Sequence, residues 1–206
     1  MPTFEHELRI SAQGYPTVAG VDEVGRGPLA GPVVAAAVLL QPALGVPPWL
    51  AQVDDSKKLA AQARERMYPL IMEGAVGVGL GSVSSEEIDS MGIAPACRLA
   101  MVRAVMDLPE EPCHLLVDYV QLNELDIPCF SLAKGDSLCY SIAAASIVAK
   151  VSRDRLMVEA DLEYPGYGFS RHKGYATLAH RHRLMELGPS PIHRRSFSLK
   201  PRLPGM

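Results

Sequence analysis

Val18-Ala19-Gly20-Val21-Asp22-Glu23-Val24-Gly25-Arg26-Gly27-Pro28-Leu29-Ala30-Gly31-Pro32 is the stretch whose reading decides the fold. It opens as an apolar strand, sets two carboxylates at the strand's end and breaks at once into a Gly- and Pro-rich turn. Val33 to Leu40 then runs apolar and uncharged. A strand, a turn and a second strand is the simplest reading, with residues 15–24 and 31–40 paired. Adjacent carboxylates at a buried strand end need a partner, because an unpaired buried charge is costly. A bound cation would supply one; capping the turn or facing water would also serve. Gly25 and Gly27 permit positive φ and close approach of the backbone to a ligand. Arg26 between them suits a phosphate. No Gly-Lys-Ser/Thr follows, so this is not a Walker A loop, and the glycine spacing of a dinucleotide fingerprint is absent.

Working outward, Gln41 to Trp49 is a Pro-rich loop. Val53-Asp54-Asp55-Ser56-Lys57-Lys58-Leu59 follows, with Ser56 as the expected N-cap of a helix to about Met72. Lys57 and Lys58 read either as plain surface or as phosphate contacts. Gly74 to Val83 reads as a third strand, and Ser84, Ser85, Glu86 and Glu87 as a capping-box start to a short helix. A further helix is expected over Ala94 to Met106. His114-Leu115-Leu116-Val117-Asp118 repeats the opening pattern, an apolar strand with an acid at its C-terminal edge. In open α/β sheets that edge is where ligands bind. Ile127 to Leu132 is extended, and from Lys134-Gly135-Asp136-Ser137 a long helical pattern runs to about Leu162. Asp136 stands at its start, as an N-cap, as a functional acid, or as both. After Tyr164 come an aromatic and Gly-rich loop, then Arg171-His172-Lys173-Gly174-Tyr175, a short helix from about Thr177 to Leu187, and a Pro-rich basic tail.

The totals bound the answer. A chain of 206 residues, nearly half apolar and with few aromatics, suits one soluble α/β domain. Cys97, Cys113, Cys129 and Cys139 show no metal-ligand spacing and read as reduced residues of a cytosolic protein. The N-terminus carries Glu5, Glu7 and Arg9 with no apolar h-region, and no apolar run could span a membrane, so a cytoplasmic location is expected. Net charge is −3, but residues 150–206 hold 11 Lys/Arg against 5 Asp/Glu while residues 1–149 hold 9 against 18. An acidic core over about residues 1–163 and a basic subregion over about 164–206 suit a polyanionic substrate; a solvated helical face is the bland alternative.

Asp22, Glu23, Asp118 and Asp136 thus stand out by position. No Cys or spaced His pair accompanies them, so an all-oxygen site for Mg²⁺ or Mn²⁺ is favoured over soft-metal chemistry. Two such ions suit phosphodiester hydrolysis. A two-carboxylate glycosidase is the competing mechanism, but it would want aromatic platforms, and the single Trp49 lies in a Pro-rich loop.

Asp22 to Pro32 resembles the signature of the bacterial ribonuclease HII family. Four further motifs are similar to its blocks in the right order: Asp55-Ser56-Lys57-Lys58-Leu59; Lys134-Gly135-Asp136 with Ile142 to Ile147, Ala149-Lys150-Val151 and Arg153-Asp154; His172-Lys173-Gly174-Tyr175; and Pro191 to Phe197. The resemblance runs from about residue 16 to 198. It implies a ribonuclease H-like fold, a mixed sheet flanked by helices with a helical C-terminal part, and a monomer. It implies cleavage of RNA in RNA–DNA hybrids and incision 5′ of single ribonucleotides in duplex DNA, leaving 3′-hydroxyl and 5′-phosphate ends. Carried over residue by residue, it makes Asp22, Glu23, Asp118 and Asp136 the metal-binding acids. Gly25, Arg26 and Gly27 become readers of the 2′-hydroxyl, and Tyr175 a ring that stacks on the deoxyribose after the ribonucleotide. Lys57, Lys58, Lys134, Ser146 and Lys150 are the further substrate-contact candidates, with surface charge the alternative for Lys134 and Lys150. His172 and His193 read as structural or phosphate-contacting. The sequence departs from the pattern at Val24, where Ala is usual and where the side chain should face the core, and at Tyr119, where Gly is usual. The related type HIII enzymes carry an extra N-terminal domain, for which about 16 residues before the first strand leave no room; a non-catalytic hybrid-binding module would be expected to lack one of the acids. Neighbouring residues of a regular strand face opposite ways, so Asp22 and Glu23 can share a site only if the strand bends or ends there.

Overall fold

The computed structural model describes residues 1–54 and 56–199. Asp55 of the second motif and residues 200–206 of the tail lie outside the described residues. In chain order the elements are α1 (Glu5–Ser11), β1 (Val18–Val24), β2 (Val33–Leu39), α2 (Ala61–Gly74), β3 (Gly77–Val83), α3 (Ser85–Met91), α4 (Ile93–Met106), β4 (His114–Asp118), β5 (Cys129–Leu132), α5 (Tyr140–Glu163), α6 (Phe169–His172) and α7 (Leu178–Leu187). The strands form one sheet in the order β3-β2-β1-β4-β5. β1, β2 and β3 pair antiparallel; β4 joins β1, and β5 joins β4, in parallel. The mixed sheet read from the sequence is present, and the paired β1 and β2 are its centre.

Side-chain alternation along these strands builds a core on each face. Ala19, Val21, Val33, Ala35, Ala37 and Leu39 pack with α3 and α4, while Ala36 and Val38 pack with α2 and α5. The helices approach closely because the strands carry small residues where they cross. A Cβ on Gly20 would lie 2.2 Å from the Ser141 carbonyl carbon and 2.3 Å from the Ile142 nitrogen of α5. On β3, a Cβ at Gly79 or Gly81 would lie 2.1 Å from a carbonyl oxygen of α4. Gly20→Ala must therefore push α5 off the sheet, since the obstacle is backbone. The expected loss is about 1–3 kcal/mol, the usual cost of overpacking, read as a lower denaturant midpoint with unchanged m-value.

Two helix starts differ from the sequence reading. α2 begins at Ala61 with Ala60 as an N-cap that makes no side-chain bond. Ser56 does not cap it, because its hydroxyl is taken by Ser146 at 2.7 Å, from the other side of the core. Asp136 does not cap α5; it sits in a separate 3-10 turn, Gly135–Ser137, and α5 starts at Tyr140. At the α5 start the Tyr140 N–H is accepted by the Thr3 carbonyl at 3.2 Å, and Glu7 of α1 accepts the Ser141 N–H at 3.0 Å and its hydroxyl at 2.8 Å. The Ser84–Glu87 capping box is formed as read. The four cysteines are free. Among the described residues no helix is long and apolar enough to cross a membrane.

Candidate active site

The pairing register explains where the acids meet. β1 and β4 run parallel with Val21 opposite Val117, and the pairing stops there. Asp22 and Asp118 are the next residues on two strands about 4.8 Å apart. β1 keeps its pairing with β2 through Val24, so the strand does not bend away. It loses its β4 neighbour instead, which opens a cleft at the sheet edge. Asp22 faces α5 and takes a hydrogen bond from Ser146. Glu23 points the other way, to the α4 side, where its charge reaches Cys97. Val24 packs on the α2 and α5 side, as its position predicts.

A cavity of about 630 Å³ is lined by Glu23, Arg26, Lys57, Lys58, Asp118, Tyr119, Lys134, Asp136 and Ser137. Seven of the sequence-predicted residues thus share one wall: two acids from strand ends, one from the 3-10 turn, and four cations. Asp22 lies beneath, 5% exposed. Asp118 accepts the Gly135 N–H at 2.7 Å, which ties the strand end to the turn that carries Asp136. Asp136, itself buried, accepts Lys57 Nζ at 3.0 Å, and Arg26 Nη1 reaches Glu23 at 3.4 Å. Lys58 pairs with Asp54 at 3.2 Å. Two candidates stand apart: Lys150 is engaged by Asp154 at 2.6 Å and does not line the cavity. Ser146 is 4% exposed and spends its hydroxyl on Asp22 and Ser56, so it supports an acid rather than meeting a substrate.

The electrostatics are those of acids held together with too little compensation. Burial, with the charges of Glu23 and Asp118, raises the Asp22 carboxyl well above the usual range. Burial raises Glu23 to about 6, against the pull of Arg26 and with the push of Asp118. Cys97 is a neutral thiol, pushed up to about 11 by burial and by Glu23. Among the described residues no three Asp, Glu, His or Cys side chains stand at the spacing of one ion's ligands. The acids rest on Lys57, Arg26, Ser146 and the Gly135 N–H, contacts that a divalent ion would replace. An oxygen-only donor set carrying uncompensated charge fits a hard cation.

The Gly-Arg-Gly loop forms the rim. Gly25 has φ +100, and a Cβ there would meet Arg153 Nε at 2.5 Å and the Pro32 oxygen at 2.7 Å, so it must be glycine. Gly27 is exposed and faces open space, which leaves room for a ligand. Two fully buried arginines hold this loop, and the sequence reading passed over both. Arg194 donates to the carbonyls of Gly25 at 2.6 Å, Arg26 at 3.0 Å and Gly31 at 2.8 and 3.0 Å. Arg153 donates to Pro32 at 2.8 Å, Ala30 at 3.2 Å and Lys173 at 3.0 Å. It thereby bridges the Gly-Arg-Gly loop to the loop of Tyr175. Gly174 seals the junction: its carbonyl accepts the Leu29 N–H at 2.8 Å, and a Cβ would lie 2.3 Å from the Ala30 oxygen. Tyr175 is 41% exposed beside this seam, with the Arg153 guanidinium 5.9 Å from its ring centroid.

Among the described residues three non-glycines have positive φ: Tyr119 at 63, Lys134 at 60 and Lys173 at 52. Two line the cavity and the third sets the turn before Gly174 and Tyr175. Each left-handed residue costs roughly 1–2 kcal/mol, and such strain gathers at functional sites. Tyr119 adopts the conformation that a glycine at this place would take freely.

A mixed sheet with a carboxylate cavity at its C-terminal edge defines a class. The structure is similar to ribonuclease H2 from Pyrococcus horikoshii OT3, with TM-score 0.77 and 26% identity over 89% of this chain and 94% of that one. It is similar in fold to Bst-RNase HIII in complex with Mn²⁺, with TM-score 0.66 and 21% identity over 89% of this chain and 67% of that one. The architecture is therefore ribonuclease H-like. Residues 19–200 match the family model described as ribonuclease HII. The ribonuclease HII of Dehalococcoides mccartyi strain BAV1 is 52% identical over 206 residues, all of this chain and 97% of that protein. The chain belongs to the ribonuclease HII family and is a ribonuclease H-type endonuclease.

Proposed function

We propose that this enzyme cleaves the RNA strand of RNA–DNA hybrids and incises duplex DNA on the 5′ side of single embedded ribonucleotides, leaving 3′-hydroxyl and 5′-phosphate ends, with Mg²⁺ or Mn²⁺ as cofactor. The observation that carries the reading is the meeting of Glu23, Asp118 and Asp136 over the buried Asp22 in one cavity, rimmed by a Gly-Arg-Gly loop docked on the loop of Tyr175. Asp22, Glu23, Asp118 and Asp136 would hold the ions, and four carboxylates suit a pair of them. Bound ions would supply Lewis acidity at the scissile phosphate. The Mn²⁺ held by the similar HIII enzyme supports a divalent requirement.

The protein's own groups do the rest. The exposed backbone at Gly27 admits a 2′-hydroxyl, the group that distinguishes RNA from DNA at one position. Arg26, Lys57, Lys58 and Lys134 surround the cavity as phosphate partners. The Tyr175 ring, anchored beside the loop, stacks on the following deoxyribose.

The test is a labelled DNA duplex with one ribonucleotide, incubated with Mg²⁺, with Mn²⁺ and with chelator. One metal-dependent cut 5′ of the ribonucleotide is expected. Tight binding without a cut would favour a hybrid-binding module, and neither binding nor cutting would detach the fold from this chemistry. Tyr175→Ala should lower the ratio of cutting at an RNA–DNA junction to cutting within a uniform hybrid by about tenfold, the worth of roughly 1–3 kcal/mol of stacking. An unchanged ratio would remove Tyr175 from substrate reading.

A further inference from the structure

Beneath Tyr175 lie three histidines that the chemistry above does not use. His180 and His193 are 0% and 1% exposed. His193 Nδ1 lies 2.9 Å from the Ser190 backbone nitrogen and 2.8 Å from the Ser190 hydroxyl. The Nε2 atoms of His193 and His180 lie 3.0 Å apart, and His180 Nδ1 lies 2.9 Å from the Tyr175 carbonyl oxygen. His172 stacks on His180 with centroids 4.2 Å apart.

The polarity of this chain is fixed at both ends. A backbone N–H only donates and a carbonyl only accepts, while a neutral imidazole has one donor and one acceptor. The Ser190 N–H makes His193 Nδ1 the acceptor, so His193 carries its proton on Nε2. That proton makes His180 Nε2 the acceptor, so His180 carries its proton on Nδ1 and donates to Tyr175. The last carbonyl also accepts the Thr177 N–H at 2.8 Å. Thr177 in turn caps α7 through the His180 N–H at 3.2 Å, so the turn after Tyr175 is locked from two directions. A proton added to His180 Nε2 would face the His193 N–H at 3.0 Å, and one added to His193 Nδ1 would face the Ser190 N–H at 2.9 Å. Burial and neighbouring rings accordingly hold His193 down, to about 4.

We propose that His193 and His180 are positioning residues for junction recognition: a one-way hydrogen-bond chain from Ser190 to the Tyr175 carbonyl sets the seat of the Tyr175 ring beside the Gly-Arg-Gly loop. The inference rests on the reading of Tyr175 as the junction-sensing ring. It adds that this specificity depends on a tautomer, His180 protonated on Nδ1, the form less favoured by free histidine in water.

Two measurements test it. Two-bond ¹⁵N–¹H correlation spectra of the intact, histidine-labelled protein at neutral pH should show His180 as the Nδ1–H form and His193 as the Nε2–H form. An Nε2–H or doubly protonated His180 overturns the chain, and no variant is needed to see it. The second is the ratio of junction to uniform-hybrid cutting in His180→Asn and His180→Gln, with Tyr175→Ala as reference. The Asn amide overlays Nδ1 and keeps a donor for Tyr175; the Gln amide overlays Nε2 and does not. His180→Gln should lose about tenfold of the ratio, the scale of one hydrogen bond left unmade, while His180→Asn should stay within about threefold of wild type. A merely structural role would lower both variants together through their melting temperatures, without moving the ratio. A drop for Tyr175→Ala with none for His180→Gln sinks the positioning role alone. No drop for Tyr175→Ala sinks the reading of Tyr175, and the role with it.

Discussion

Asp22→Asn is expected to abolish cleavage and, in chelator, to melt at a higher temperature than the wild type. The two effects have one cause. Asp22 is a buried carboxylate under two others, held on Ser146 and on the N–H of Glu23 at 2.7 Å. If Asp22 helps to hold the ions, removing its charge weakens their site, and a barrier raised by about 4 kcal/mol corresponds to a loss on the order of 10³-fold. It also removes repulsion. Asp22 and Glu23 both have folded pKa values above their unfolded ones. The folded protein therefore binds more protons than the unfolded chain, and stability falls as pH rises from about 4.5 to 6 for Glu23 and upward from the ordinary carboxyl range for Asp22. For Glu23 that loss amounts to about 2 kcal/mol, and neutralising Asp22 should move stability in the same direction. In a chain of this size each kcal/mol is worth roughly 2–4 °C. Melting curves at pH 5 and pH 8, with and without Mg²⁺, check the account. The wild type should gain more from Mg²⁺ than the Asn variant does, because only the folded site binds the ion. A destabilised Asn variant in chelator would mean the cluster is not repulsive, and near-normal turnover would sink Asp22 as a catalytic acid.

What the sequence disclosed and what it hid divide along range. Asp22, Glu23 and Asp118 stood out because they end apolar runs, and a sheet must bring the ends of parallel neighbours to one edge; Asp136 stood out only by its place before a long helical pattern. The capping box at Ser84 and Glu87 was legible because both partners lie within one turn. Ser56 was misread because its partner is Ser146, 90 residues on. Asp136 looked like a cap for α5, yet the cap comes from Glu7, 134 residues away from Ser141. Gly20, Gly79 and Gly81 drew no comment in the sequence, and only the crossing of helices gives them a purpose. For Asp22 and Glu23 to share a site the strand was expected to bend or end there; β1 instead stays paired with β2 through Val24 and parts from β4 after Val21. Arg153 and Arg194 stood inside recognised motifs, but their partners are carbonyls, and carbonyls have no letter in a sequence.

That last point supports the second large effect, Arg194→Met. Methionine matches the length of the buried stem and forfeits the guanidinium, which makes four hydrogen bonds to the carbonyls of Gly25, Arg26 and Gly31. Those oxygens would remain buried under the C-terminal segment without their donor. Losing one partner of such a network costs about 3–5 kcal/mol, more than the bonds themselves contribute, because the desolvated acceptors stay behind. The expected fall in melting temperature is on the order of 10 °C. Arg194→Lys should rescue little, since one ammonium cannot follow three carbonyls arranged for a planar fork. Burial and the charge of Arg153 hold the Arg194 guanidinium down to about 10, so it is charged at neutral pH and its buried donors need those carbonyls. Activity should fall along with stability at temperatures where the variant is still folded, by at least about tenfold if the Gly25 to Gly27 backbone shifts by even one hydrogen bond's worth of free energy. Circular dichroism melts beside hybrid-cleavage rates at 25 °C separate the two effects. A folded Arg194→Met protein with wild-type cleavage would show that the Gly-Arg-Gly rim needs no anchor from the C-terminal segment, and that its shape is carried by Gly25, Pro28 and Pro32 alone.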